Sequence, residues 1–409
     1  MEKIFLSTSN VQPIPAVLGG ATETLIDILI TKNEIEKKCL FFILCKYNPD
    51  AQIKSKDFKY TKVIYFKSRK DSSIFELLKN KEIFFYFIAK ALSRLGFIKT
   101  SIPPRYYFLA YRLCKIIKPD YFVAEGGMYE KYAMVSKVMP PERRYAHLHR
   151  VVIGNKELWS IFPNAIAISN YVKNAYIGNQ NLVTVSAKVV PNCCNETVFQ
   201  QKPNEQLVKA KRRELNFNDD DFVVIFSGRI VEEKGVKELL LAIENIPIEK
   251  VKLLIVGSPF FASSNETEYW TNIQKIAASL GDRVCMTGYV PNNELSLYFS
   301  LSSLCVVPSV WEEPVALVPL EAMTFGLPVI VTNSGGMVEY QKDNCILVVD
   351  REPDLTDTLS KAISSIYNDK ELRKSMITKG KLRAGEFSSH KFYYDFLNVF
   401  KDVIVEGDV

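Results

Sequence analysis

Short apolar runs recur along the whole chain, each long enough for one buried strand. In the first half they fall at 3–7, 39–45, 62–66, 121–124, 145–148, 165–168 and 183–190. In the second half they fall at 222–226, 251–256, 284–287, 304–307, 329–332 and 346–349. Most are continuous rather than alternating, the pattern of strands covered on both faces. Helical periodicity fills most of the intervals. Strands alternating with helices predict right-handed crossovers and parallel sheets. A polar stretch at 200–206 separates two such blocks. The expected fold class is therefore α/β, with two Rossmann-like domains facing each other across a cleft and ligands at the carboxyl ends of the strands. The expected division is 1–196, 197–385 and a closing segment 386–409. Its aromatic helix, over 388–400, is expected to cross back to the first domain.

Composition narrows the class. A chain of 409 residues with 47% hydrophobic and 24% charged residues is neither disordered nor a disulfide scaffold. The longest apolar runs, 39–45 and 83–89, fall well short of the ~18–20 residues of a spanning helix. The opening Met-Glu-Lys-Ile-Phe-Leu-Ser reads as a strand, not a signal peptide. Cysteines at 39, 45, 114, 193, 194, 285, 305 and 345 show no C-x-x-C spacing, and most sit in apolar runs. Three histidines are few for a metal centre. Asp219-Asp220-Asp221 precedes a strand as turn residues do. No metal is expected, and a reducing cytoplasmic setting fits.

Charge is uneven. Residues 53–118 hold sixteen Lys or Arg against four Asp or Glu, in a chain whose net charge is only +6. The same stretch is rich in aromatics. A helix over 83–99, with Lys90 and Arg94 four apart, suits either an anionic membrane surface or a solvated core helix. No helix-turn-helix, zinc or RNP-like signature accompanies it, so nucleic acid is not an expected partner.

Four segments carry candidate chemistry. The first runs from Pro308 to Pro328. A buried strand ends at Pro308, Pro319 suits the first turn of a helix and Gly326 its end. Loop amides at Val315, Ala316 and Leu317 would then face outward at a helix N-terminus, ready for phosphate. Glu313 stands in the loop and Glu321 one turn into the helix, so two carboxylates can serve two sets of hydroxyls. The second segment follows the strand at 222–226. Gly228-Arg229 and Lys234-Gly235 bring a guanidinium fork and an ammonium to one loop, which matches a diphosphate or an ordinary basic surface. The third is the turn at Gly19-Gly20, where backbone can approach a ligand closely. It lacks the G-x-G-x-x-G of nicotinamide binding. The fourth is His147-Leu148-His149-Arg150, where alternation sends both imidazoles the same way. The proline, glycine and apolar frame around the two glutamates favours a site over a solvated pair, whereas the glycine turn is weak evidence by itself and a histidine here is as readily structural.

Taken together, Gly19-Gly20, Pro191-Asn192, Ser227-Gly228-Arg229, Glu233-Lys234-Gly235, Gly257, Gly288, Pro308-Ser309, Glu313 with Glu321, and Gly335-Gly336 with Glu339 resemble family 4 glycosyltransferases of the GT-B fold. The resemblance implies that Arg229 and Lys234 bind a donor diphosphate. It implies that Glu313 meets the donor sugar, Glu321 the ribose, and Val315, Ala316 and Leu317 the sugar and phosphate. Gly228, Gly288, Tyr289 and Val290 complete the nucleotide side, with Gly19, Gly20 and the acceptor-domain His149 opposite. Where the family often has Glu-Pro-Phe-Gly, this chain has Glu313-Pro314-Val315-Ala316, a smaller side chain that would widen the donor pocket.

The implied activity is retaining transfer from a nucleotide diphosphate sugar to a hydroxyl, without metal or other cofactor. The expected acceptor is a glycan or lipid-linked glycan of a bacterial capsule or cell surface. The expected location is cytoplasmic, at the inner face of the plasma membrane. Two rivals share the fold: a nucleotide-sugar epimerase and a non-catalytic sugar-binding subunit.

Overall fold

The computed structural model describes residues 1–68, 104–178, 185–259 and 267–401. The expected helix over 83–99, with Lys90 and Arg94, lies outside the described residues. The chain divides into two compact units, Met1–Pro191 with His390–Val409, and Asn192–Ser389. The first break thus falls at 191/192 where 196/197 was expected, and the second at 389/390 where 385/386 was expected. The short helix Glu196–Phe199 lies in the second unit, where Phe199 joins the core.

Among its described residues the first unit holds seven parallel strands: β1 (Glu2–Thr8), β2 (Cys39–Lys46), β3 (Thr61–Phe66), β4 (Tyr121–Glu125), β5 (Arg144–Leu148), β6 (Asn164–Ala167) and β7 (Ser186–Val189), in the order β3-β2-β1-β4-β5-β6-β7. Ile4, Phe5 and Leu6 of β1 are all fully buried, which is why that run is continuous rather than alternating. The helix Ala21–Glu36 covers the sheet with Leu25, Ile26, Leu29 and Ile30, and stops at Lys37, whose φ of 54° is left-handed. Its buried Asn33 donates to the Cys39 carbonyl (3.0 Å) and accepts from the Cys39 amide (3.2 Å), which fixes the start of β2. Tyr393, on the last helix Ser389–Asn398, donates to the same Asn33 side chain (2.8 Å). Phe400 stacks on Tyr121 at 4.7 Å between ring centres. The aromatic spacing of the C-terminal segment is therefore a packing code for the first unit.

The second unit holds six parallel strands: β8 (Phe222–Ser227), β9 (Val251–Val256), β10 (Val284–Gly288), β11 (Leu304–Val307), β12 (Val329–Thr332) and β13 (Leu347–Val349), in the order β10-β9-β8-β11-β12-β13. Both faces are covered. Val224, Phe226, Leu253 and Ile255 enter one apolar cluster, and Val223, Ile225, Leu254 and Val256 the other. Alternate side chains feed opposite faces, so most positions are apolar; Lys252 in β9 is an exception, and it pairs with Asp282 at 2.8 Å. The strands lie close to where the apolar runs predict them. β6 begins one residue earlier, and β7 and β13 are shorter. None of the eight cysteines is in a disulfide. Asp221 is a turn residue, accepting from the Asn218 amide at 2.7 Å. No described helix is long and apolar enough to cross a membrane.

Two glycines show how tightly the strand ends are packed. Gly235 has φ +68°, and a Cβ there would lie 1.9 Å from the Pro308 carbonyl oxygen. Gly281 has φ +58° with open space around it. Alanine at Gly281 meets only the left-handed backbone cost of about 1–2 kcal/mol. Alanine at Gly235 adds a clash with backbone that cannot yield, and an expected loss of ~3 kcal/mol or more. Urea midpoints of Gly235→Ala and Gly281→Ala, read by tryptophan fluorescence, check this. Equal midpoints would mean that the β8 and β11 loops are not locked together.

Candidate functional site

In each sheet the strand order reverses once: between β1 and β4, and between β8 and β11. Loops leaving the carboxyl ends of those neighbours go opposite ways and open a crevice, where α/β folds bind ligands. Of the sequence-predicted residues of the second unit, Gly228, Arg229, Lys234, Glu313 and 315–317 lie on such loops, Glu321 lies in the helix that follows, and Gly288 ends the edge strand β10 with Tyr289 and Val290 after it.

β8 runs into Gly228-Arg229 and then the turn Glu232–Lys234. β11 runs into Pro308 and the loop that ends at the helix Val318–Phe325. These loops are stitched across the reversal. The Val310 amide donates to the Glu233 carbonyl (3.0 Å). The Lys234 ammonium lies 2.5 Å from Glu313 Oε1 and 6.0 Å from the centre of the Trp311 ring. Glu313 is only 3% exposed, and Ser309 donates a second hydrogen bond to the same oxygen (2.7 Å). A buried carboxylate requires such partners. Lys234 and Glu313, predicted separately, are thus brought together. Arg229 is exposed on the same loop and pairs with no carboxylate among the described residues.

The loop around Glu313 is also fixed from its other side. Its amide donates to Ser334 Oγ (3.1 Å), and its carbonyl accepts from the Gly336 amide (2.8 Å). Glu312 accepts from the Gly335 amide (2.7 Å) and pairs with Arg351, which donates to the Val310 carbonyl (2.9 Å). Further along, the amides of Val315, Ala316 and Leu317 have no acceptor among the described residues. They precede the helix Val318–Phe325, which carries Pro319 in its first turn and ends at Gly326 with φ 101°. Unclaimed N–H groups and the helix dipole together favour an anion there.

Glu321 sits in the first turn of that helix, 5% exposed, and Asn292 donates to it at 3.2 Å. Burial outweighs this one hydrogen bond and pushes its carboxyl up to about 7. Asn292 follows Gly288-Tyr289-Val290 closely, so the segment expected to meet a base adjoins Glu321. Tyr289 is 54% exposed, and Val290 packs on the core.

In the first unit, Gly19 and Gly20 have φ of 75° and 110° after β1. The β4–β5 register sets Glu125 opposite His147. One carboxylate oxygen, Glu125 Oε2, lies 2.9 Å from His147 Nδ1 and 2.8 Å from His149 Nε2. The His147 contact is off the line of a hydrogen bond, and its Nε2 is buried without a partner. Burial raises the Glu125 carboxyl, but the two imidazoles outweigh it and hold it at about 2. Burial, and then His147, lower the pKa of His149. The three ligand atoms lie within 4.8 Å of one another, close enough to hold a metal ion. The separations favour hydrogen bonding instead, because ligands of one tetrahedral zinc at ~2.0–2.1 Å stand about 3.3 Å apart. Glu125 was missed by sequence reasoning, as were Asn292, Ser334 and Arg351. The signal for Glu125 was an acid closing one strand beside an H-x-H that closes the next.

Comparisons with known proteins bear on the fold and on the second unit's sequence. Over 99% of this chain and all of the other, the structure superposes on a glycosyltransferase from Rickettsia africae with a TM-score of 0.75 at 15% identity. It superposes on Anabaena Alr3699/HepE in complex with UDP and glucose with a TM-score of 0.71 at 18% identity, over 98% and 100% of the two chains. The fold is GT-B. Residues 208–383 match the family model for glycosyl transferases group 1. That span holds Arg229, Lys234, Glu313 and Glu321. Among curated proteins, the chain is 28% identical over 244 residues to a lipopolysaccharide 1,2-N-acetylglucosaminetransferase of Salmonella typhimurium, covering 59% of this chain and 62% of that enzyme. It is 29% identical over 222 residues to a D-inositol 3-phosphate glycosyltransferase of Corynebacterium jeikeium, covering 52% and 51%.

The raised Glu321 gives this GT-B chain a pH signature. The native state binds the proton more tightly than the unfolded chain, whose carboxyl titrates near its usual 4.5. Its contribution to stability is therefore full below about 4.5 and lost as pH rises through about 7. Urea midpoints of wild type and Glu321→Gln, compared at about pH 5 and about pH 8, should show the wild type losing ground to the variant at the higher pH. A constant difference would mean that Glu321 titrates normally.

Proposed function

We propose that this protein is a glycosyltransferase that moves a sugar from a nucleotide diphosphate sugar to a hydroxyl of a glycan or lipid-linked acceptor. One observation carries the reading: the Lys234–Glu313 contact across the strand-order reversal of the second unit, beside an unpaired Arg229 and unclaimed amides at 315–317. That arrangement supplies cations and N–H donors for a diphosphate and a buried carboxylate for sugar hydroxyls. The group 1 match over 208–383 and the UDP held by Alr3699/HepE support the same reading.

In this scheme the bond from the anomeric carbon to the diphosphate oxygen breaks as the acceptor oxygen arrives, and the acceptor proton passes to the departing phosphate. Negative charge builds on the diphosphate, where Arg229, Lys234 and the Val315–Leu317 amides stabilise it. Lys234 has three N–H donors; Glu313 takes one and leaves two for phosphate oxygens. Cations and dipoles carry the neutralisation, so the reaction proceeds without a metal. Glu313 orients the sugar, Glu321 and Asn292 receive the ribose, and Tyr289 and Val290 flank the base. In the first unit, His149 offers an imidazole to a sugar hydroxyl. Departure and attack on one face give retention of configuration.

The acceptor reading rests on the basic segment 53–118. Its described helix Arg105–Ile117 buries Tyr106, Phe108 and Cys114, and leaves Lys115 and Ile116 exposed, with Lys118 just beyond. Basic and apolar side chains together suit an anionic bilayer surface on the cytoplasmic side, where lipid-linked glycans of a capsule or other surface polysaccharide are extended.

The deciding experiment is nucleotide release across UDP-, GDP- and dTDP-sugars, with and without lipid-linked acceptors. Wild type should release nucleotide with one donor and only weakly without acceptor. Arg229→Ala should lose ~10²–10³ in rate, the scale of deleting one preorganised donor. Glu313→Ala should abolish transfer. Wild-type turnover in either variant, or a changed sugar with no acceptor present, would refute the assignment.

A further inference from the structure

The carboxylate–imidazole cluster of the first unit has a direction built into it. Glu125 is 1% exposed and closes β4, while His147 and His149 close and follow β5. An ionised carboxylate only accepts hydrogen bonds. Glu125 is held ionised by its two imidazole neighbours, with Glu23 of the helix Ala21–Glu36 the like charge nearby. The nitrogen 2.8 Å from its oxygen, His149 Nε2, is therefore a donor. His149 stays neutral under its burial, so the proton on Nε2 leaves a lone pair on Nδ1. His149 is the open member of the group, its side chain 10% exposed against 1% for His147. Nδ1 has no hydrogen-bond partner among the described residues.

We propose that Glu125 is a positioning residue: it locks His149 as the Nε2–H tautomer, so that Nδ1 presents a hydrogen-bond acceptor to a hydroxyl-bearing ligand. The ligand chemistry is then a donor hydroxyl, as on a sugar, and not a carbonyl or a phosphate oxygen. Only the identity of that ligand rests on the glycosyl-transfer reading; the tautomer does not. His147 is the buttress. Its ring lies 4.1 Å from that of His149, centre to centre, and its carbonyl accepts from Tyr129 at 2.6 Å.

The chain has three histidines, at 147, 149 and 390, so imidazole nitrogens can be assigned by long-range ¹⁵N–¹H correlation on the full-length protein. Wild-type His149 should show a protonated Nε2 and a bare Nδ1. The opposite tautomer overturns the assignment whatever the activity. Added Zn²⁺ should leave both cluster histidines unshifted. Joint movement of His147 and His149 would make the trio a metal site and overturn the proposal. Glu125→Gln should mix the tautomers and lower kcat/KM for transfer about 10–100-fold, the scale seen when a metal-bound imidazole loses its orienting carboxylate. Glu125→Asp should recover part of both. Unchanged tautomer and rate in a folded Glu125→Gln would sink the positioning role. A wild type that transfers no sugar at all, with the tautomer as predicted, would sink the functional reading and spare this one.

Discussion

A carboxylate taken out of water must find a cation or a set of donors, and that requirement organises the second unit. Glu313 meets it by reaching Lys234, which arrives on a different strand's loop. The contact is available because β8 and β11 are neighbours at the point where strand order reverses, so their loops leave in opposite directions from adjacent ends. Gly235 makes the approach feasible, since a side chain there would strike Pro308. Sheet topology, one glycine and one ion pair thus fix the same geometry from three sides. A pair this buried adds little net stability compared with an apolar substitute. Its placement is better explained by what the leftover ammonium and carboxylate valences can hold.

Among the described residues four glutamates are buried, Glu23, Glu125, Glu313 and Glu321, and the environments of the last three set them apart. Glu125 has two imidazole nitrogens within 3 Å and is held ionised at about 2. Glu321 has one amide donor and rises to about 7. Glu313 has an ammonium and a hydroxyl on one oxygen. The residue type is constant, and the neighbours decide its chemistry. A carboxyl near neutrality can donate as well as accept, which suits Glu321 to paired hydroxyls. A fully ionised Glu125 can only accept, which suits it to orienting an imidazole.

The strands were legible because a parallel strand covered on both faces writes itself as an unbroken apolar run. Val251–Val256 and Leu304–Val307 match the sequence expectation residue for residue. Lys234 and Glu313 were legible because glycine and proline framed them at strand ends. Glu125 was not. It reads as the polar residue that ends Tyr121–Glu125, and only the β4–β5 register sets it against His147. Sequence alternation gave both histidines one direction but no target. Arg351, Ser334 and Asn292 were hidden for the same reason. Their partners lie 39, 21 and 29 positions away, and nothing local marks the contact.

The departure at Val315-Ala316 is best weighed against those hidden braces. The backbone before it is held by Ser334, Gly336, Glu312 and Arg351, and Tyr340 donates to the Ala316 carbonyl at 3.0 Å. A Cβ at Gly335 would lie 2.1 Å from the Glu313 carbonyl oxygen, so the two loops are in contact with no slack. A loop tied at that many points keeps its course when one side chain shrinks. Replacing a phenylalanine with Val315 therefore changes the volume lining the site and leaves the anion-facing amides where they are. Under the proposed function, selectivity among donor sugars and recognition of the diphosphate would then be separable properties of one short segment. The first would fall to side chains at 315 and 316, and the second to backbone that neighbouring elements hold in place.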